Sequence, residues 1–574
     1  MSKNYLKKIG KNIIKNSDKA IAMKVISLAI MLMFITSCSN KVSQSTQTNQ
    51  VHEYKTINEI HNAITTHQST CHEITNSYLA RIYKYNLSIS NNKPPLNAIS
   101  QINVDLLNQA DILDKSYARN SKLSGSLFCV PVIVKDNIDV LGMETASGSE
   151  ALIGSQPLND AILVTQLKKE GAIIIAKAGM DELAMGATGI SSLDGRIGNA
   201  YDVTQNPGGS SGGTAAAVAA NFAIIGIGTD NSGSVRLPAA FNGLYGLRPT
   251  QGLISKDGVF PMGNIDGTPG PMAKNVTDLA ISLNAITESG IDYTKYLNSK
   301  GLSGKTIAIL NTAGNYDIWK NMPQNIRSIY NQATQNLIKS GATIKYLDLP
   351  KFDNNRKPHM AGTADDVNNY LQHNLTTRSS MQEMCKSDNM RVIGSKLDCL
   401  KDVNSIPKKG SVKYKEALAI ISYNLQYVTK IMENEHIDGI LLPVSKSGSS
   451  TYDLTNVNTW QAPVSSNTGL PSIVIQIGHN KDSMPIAMEI VGNKLAEGEL
   501  LSMAYDYEQH YIAYMPPTLT PSNDFDNWPI SKLNNLFRQI GKDTYNSVIK
   551  PKNKNEVSPE QSYTATVQAI KDIH

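Results

Sequence analysis

No histidine lies between His72 and His359 in this chain of 574 residues. A serine nucleophile in that stretch therefore has no nearby imidazole, and a Ser–His–Asp arrangement has no local support. There is no Cys-x-x-Cys and no His/Cys group with metal-ligand spacing, which argues against a zinc site, and no metal or cofactor is expected. His61, His67 and His72 are not at i,i+4 spacing and read as solvated helix positions. No Gly-Lys-Ser/Thr follows the glycine-rich segment Gly208–Gly213, so a phosphate-binding P-loop is excluded there. The net charge is only +5. Much of it sits in the first 24 residues, where Lys3, Lys7, Lys8, Lys11, Lys15, Lys19 and Lys24 face only Asp18. The body of the chain carries no nucleic-acid footprint. Val25–Ile35 is an apolar run of eleven residues, too short to cross a bilayer. No internal repeat is visible. With 41% hydrophobic and 18% charged residues, the chain has ordinary globular composition.

Two serines and a lysine stand out. Phe222–Ile227 is a short apolar run that predicts a buried strand, and it leads into Gly228-Thr229-Asp230-Asn231-Ser232-Gly233-Ser234. Small residues let the backbone turn sharply there, and successive N–H groups form an anion-binding nest beside Ser234. Pro207-Gly208-Gly209-Ser210-Ser211-Gly212-Gly213 feeds Thr214–Ala220, a stretch with high helix propensity. Gly208–Gly212 also fits the G-x-S-x-G nucleophile elbow, but the turn-like Tyr201–Pro207 stands where that elbow needs a strand. Val130-Pro131-Val132-Ile133-Val134-Lys135 ends an apolar run in a lysine. A desolvated, neutral lysine is a competent proton acceptor for serine.

These segments together resemble the amidase signature family. The likeness extends to Ala176–Gly186, Gly243–Thr250, Gly469-Leu470-Pro471-Ser472 and Met484–Gly492, and covers roughly residues 55–512. It implies an α/β fold, with a large mixed β-sheet covered on both faces by α-helices, and hydrolysis of linear carboxamides. It further implies a Ser–cis-Ser–Lys triad. Ser234 is the nucleophile, Ser210 the bridging serine after a cis peptide bond, and Lys135 the base. The N–H groups of Asn231, Ser232, Gly233 and Ser234 hold the oxyanion, with Ala184 and Met185 at the substrate site. The common Asp-x-Gly-Gly-Ser pattern departs here to Asp230-Asn231-Ser232-Gly233-Ser234. Ser232 keeps its backbone N–H, so the departure bears on the substrate more than on catalysis. Asp230 and Arg236 read as holders of the turn.

Residues 1–37 read as a signal peptide, with Met23 as the more usual start, and Ile35-Thr36-Ser37-Cys38 resembles the lipobox of bacterial lipoproteins. Cys38 is then lipidated, and residues 38–54 form the anchor and a flexible tether. The expected location is the bacterial cell envelope, with Ser39 leaning toward the outer membrane facing the periplasm. Cys71, Cys129, Cys385 and Cys399 are free to pair in an oxidising compartment, with connectivity open. Residues 55–512 form the amidase domain, within which 351–411 are polar, irregular and substrate-side; residues 513–574 form a tail with no assigned role. The expected partner is a small-molecule or peptide amide, with membrane contact only through Cys38. Three other readings remain: a glutaminase-type component of an amidotransferase, an esterase using Ser210 with His359, His373 or His436, and a catalytically silent surface binding protein.

Overall fold

The computed structural model describes residues 53–544 apart from 89–93, 264, 355–356, 390–398, 400–402, 404, 450–462, 512–514, 520 and 522–527. The expected signal peptide, Cys38 and all but the last two residues of the expected tether lie outside the described residues, as does the chain after residue 544.

Fourteen strands are present among the described residues. They are β1 (Ile99–Ile102), β2 (Pro131–Lys135), β3 (Ile173–Ala178), β4 (Ile190–Ser191), β5 (Gly195–Arg196), β6 (Ile225–Asp230) and β7 (Tyr245–Arg248). Then come β8 (Thr268–Ala273), β9 (Thr306–Ala313), β10 (Tyr316–Asp317), β11 (Thr343–Leu349), β12 (Gly439–Pro443), β13 (Ser472–His479) and β14 (Pro485–Val491). Twelve make one mixed sheet in the order β1-β3-β2-β6-β8-β7-β13-β14-β12-β9-β10, with β11 also paired to β9; β4 and β5 form a separate hairpin. Helices flank the sheet, so β2, β3, β6 and β8 are buried along their whole length. That is why β2 and β3 read as near-continuous apolar runs rather than alternating ones.

The three strands that matter for the site run parallel. β2 lies between β3 and β6, with Lys135 opposite Ala178 and Val134 opposite Ile227. Their carboxyl ends therefore open on one edge, where ligands bind in open α/β sheets.

Amphipathic helices form at Ile57–Thr65 and Cys71–Tyr85, burying Ile57, Ile60, Ile64, Ile74, Tyr78, Leu79 and Ile82. Thr70 caps the second through a reciprocal pair with Glu73. Two readings of the sequence need correction. The strand expected at Phe222–Ile227 begins at Ile225 and runs to Asp230. The region 351–411 is not simply irregular: it contains a 3-10 turn at Lys357–Met360 and helices at Thr363–His373 and Met381–Lys386. Their buried faces are interrupted by polar residues, which hid the period. The segment docks beside the catalytic edge, with Tyr370 Oη donating to Asp139 Oδ1 at 2.6 Å and Gln156 bridged to Leu375.

Beyond residue 515 a helix spans Ile530–Thr544, and its Leu533, Leu536, Phe537 and Ile540 join the main core. The cysteines pair as Cys71–Cys129 and Cys385–Cys399. No described helix is long and apolar enough to cross a membrane.

Candidate active site

Lys135 is the last residue of β2 and is fully buried. Its Nζ lies 2.7 Å from Ser210 Oγ and 2.9 Å from Thr229 Oγ1. Asn137 Nδ2 donates to the same threonine oxygen at 3.1 Å. Two donors thus occupy Thr229 Oγ1, which leaves the amine lone pair free to face Ser210 when Lys135 is neutral. Burial drives the Lys135 pKa down to about 7, against the opposing pull of Asp181 and Asp230. A lysine at that value is largely neutral in mild alkali and suited to proton transfer.

Ser210 follows a cis peptide bond from Gly209. Its neighbour Ser211 is engaged elsewhere, with its hydroxyl against the carbonyl and N–H of Thr229 at 3.3 and 3.4 Å. Ser211 also donates its backbone N–H to the Ser234 carbonyl at 3.2 Å. That bond sets the two serine segments side by side. Ser234 is 9% exposed, buried but not sealed.

The turn before Ser234 is built around Asp230. Its carboxylate accepts the N–H of Gly233 at 2.7 Å and of Val235 at 3.1 Å. Arg236 reaches it twice at 3.0 Å and Arg248 once at 2.9 Å. Arg236 extends to Glu489 Oε1 at 2.7 Å and to Ser466 Oγ at 3.0 Å. The two guanidinium groups hold the Asp230 carboxyl far below the usual range despite burial. All four side chains are fully buried, so two carboxylates and two guanidiniums balance out of water.

This geometry corrects one expectation. The N–H of Gly233 is committed to Asp230 and is not free for an oxyanion, whereas the N–H groups of Asn231, Ser232 and Ser234 have no protein acceptor among the described residues. The positive φ of the turn, 113°, falls on Gly233 and not on Ser232. Serine at 232 is therefore accommodated without strain. The Asn231 side chain points away from the nest and donates to the carbonyls of Met262 and Gly263 at 2.7 and 2.6 Å.

A family model described as Amidase matches residues 73–501. The chain belongs to the amidase signature family and is a serine amidohydrolase. It is 30% identical over 491 residues to one component of the glutamyl-tRNA(Gln) amidotransferase of Alkaliphilus metalliredigens, covering 80% of this chain and 96% of that one. Peptide amidase from Stenotrophomonas maltophilia superposes with a TM-score of 0.72 at 27% identity, over 81% of this chain and 98% of that chain. An amidase family protein of Bacillus anthracis gives 0.71 at 26%, over 82% and 93%.

In this amidase Ala184 and Met185 lie on a strained turn, with Leu183 and Ala184 at φ of 54° and 58°. Both are half-buried, and Met185 packs on the apolar cluster that holds Phe260, Met262, Met381, Met384 and the Cys385–Cys399 bridge. Among the described residues the esterase reading finds no histidine partner for Ser210, whose hydroxyl meets Lys135 instead. His373 and His436 are exposed, and His359 Nδ1 lies 2.7 Å from Asp266 Oδ2, out of line for a good hydrogen bond. The helical histidines are also not all solvated: His61 and His72 are half-buried, and His72 pairs with Asp111 at 2.7 Å. Among the described residues no group of three or more His, Cys, Asp or Glu is placed to hold a metal. Asn137 and Thr229 were given no role from sequence, although each lies beside a motif residue: two after Lys135 and one before Asp230.

Proposed function

We propose that this amidase cleaves carboxamides to carboxylate and ammonia or amine through an acyl-enzyme on Ser234. The observation that carries the reading is the buried Lys135–Ser210 contact at 2.7 Å, with a lysine whose pKa is lowered to about 7. Ser234 gives its proton to Ser210, and Ser210 gives its own to Lys135. The attacked carbonyl oxygen takes up negative charge against the N–H groups of Asn231, Ser232 and Ser234. Lys135 returns the proton by the same route to the leaving nitrogen, and water then releases the acid. The substrate is a free primary amide, a peptide C-terminal amide or a simple aryl amide; likeness to a peptide amidase supports the second.

We further propose that the chain is exported and anchored through Cys38 in the cell envelope. The basic start, the eleven-residue apolar run and the lipobox-like Ile35–Cys38 support this. Two disulfides fit an oxidising compartment. A second reading, a glutaminase serving tRNA amidation, rests on likeness to the glutamyl-tRNA(Gln) amidotransferase component. An export signal separates the two, because that partner is cytosolic.

The test is turnover of soluble residues 39–574 against a panel of peptide amides, aryl amides and glutamine, read as released ammonia or amine. Hydrolysis of peptide or aryl amides without a partner protein supports the reading. Activity on glutamine alone, and only with added partner proteins, sinks it.

A further inference from the structure

Asp181 has no role in the scheme above, yet it is built into the site. It is 1% exposed, and its carboxylate accepts the N–H groups of Thr188 and Gly189, each within 2.7–2.9 Å of both oxygens. Its own N–H donates to the Ser210 carbonyl at 3.3 Å. Its carboxylate also fills the space in front of Gly209: a Cβ there would come within 2.5 Å of Oδ2. Asp181 therefore touches both residues of the Gly209–Ser210 turn, one through the backbone and one through the side chain.

The charges around Lys135 are unequal in effect. Two carboxylates act on it, Asp181 and Asp230. Asp230 is neutralised in its own cluster by Arg236 and Arg248, with Glu489 also paired to Arg236. Asp181 has no arginine or lysine within ion-pair distance among the described residues, and Lys135 is the charged group that acts most strongly on its carboxyl. Its neighbour Glu182 turns away onto the hydroxyls of Ser149 and Ser192, at 2.7 and 2.6 Å. Burial raises the Asp181 carboxyl to about 6, so it is charged in the range where Lys135 turns neutral.

We propose that Asp181 is a positioning residue for amide hydrolysis: it fixes the Gly209–Ser210 turn against Lys135 and is the counter-ion of the ammonium that forms when Lys135 takes the proton. No bond to Asp181 forms or breaks. The proton lost by Ser234 reaches Lys135 through Ser210, positive charge appears on Nζ, and the fixed carboxylate stabilises it. In a buried site that interaction is little screened.

The proposal rests on Lys135 being the base, and the pH profile separates the two. Wild type, Asp181→Asn and Asp181→Ala are compared from pH 5 to 10 on one peptide amide, with thermal melts to check folding. In Asp181→Asn the remaining oxygen still lies within reach of both N–H donors. The expected result is an ascending limb displaced toward acid by about one pH unit in both variants. At the plateau, kcat falls about 10²-fold, and KM stays close to wild type. Folded variants that lose activity with an unmoved limb, or that change KM alone, would overturn it, as would failure of both variants to fold, which makes Asp181 architectural. Absence of any ascending limb in the wild type would instead remove the lysine base itself.

Discussion

Lys135 Nζ and Ser210 Oγ meet at 2.7 Å with both side chains wholly out of water. A charged lysine is disfavoured there, and its pKa near 7 follows from burial outweighing two carboxylates. The sign is fixed by the chemistry. The base works neutral, so kcat/KM rises with pH through about 7 and levels off in mild alkali. Below the limb it falls about tenfold per unit. A pH–rate profile on a peptide amide checks this; a rate that falls as pH rises from 6 to 8 contradicts it.

Lys135→Ala removes the base but leaves the nucleophile. Amide hydrolysis needs a proton on the departing nitrogen, whereas an activated ester leaves without one. Amide turnover is expected to fall at least about 10³-fold and ester turnover much less. Parallel rates on a matched amide and ester read the ratio. Equal losses would place Lys135 outside the proton path.

The cluster of Asp230, Arg236, Arg248 and Glu489 is expected to be structural. Arg236→Met leaves Asp230 and Glu489 less compensated in the interior and should cost about 3–5 kcal/mol. Urea unfolding measures it. A loss of activity with stability unchanged would move Arg236 into the chemistry.

Five cysteines include four that pair, Cys71 with Cys129 and Cys385 with Cys399. A form beginning at Ser39 and denatured without reductant should show no free thiol. Cys71→Ala opens the wider loop, 58 residues against 14, and should lower stability by about 2–5 kcal/mol. A thiol titration finding four free groups would refute the pairing.

Much of the site was legible because its chemistry sits in short, glycine-punctuated stretches of sequence. Ser210 and Ser234 lie in such stretches and Lys135 ends an apolar run, and the structure brings β2, β6 and the Gly209–Ser210 turn to one edge. What sequence could not show were contacts between distant residues. Arg236 meets Glu489 across 253 positions, and Lys135 meets Thr229 across 94. The commitment of the Gly233 N–H to Asp230 depends on a turn geometry that no residue type announces. The Ile530–Thr544 helix was legible in principle, since Leu533, Leu536, Phe537 and Ile540 follow a helical period. The proline- and asparagine-rich stretch before it obscured the start. Phe537→Ala is accordingly expected to lower stability by about 3–5 kcal/mol, which a melt of the full tail-bearing chain would register.

The central claim is that Ser234 is the nucleophile. The direct measurement is labelling of wild-type residues 39–574 with a fluorophosphonate, followed by mass-spectrometric mapping of the adduct. The expected result is a single adduct on Ser234, abolished in a folded Ser234→Ala variant that has also lost amide turnover. An adduct on Ser210 or Ser211 with Ser234 unmodified would contradict the account.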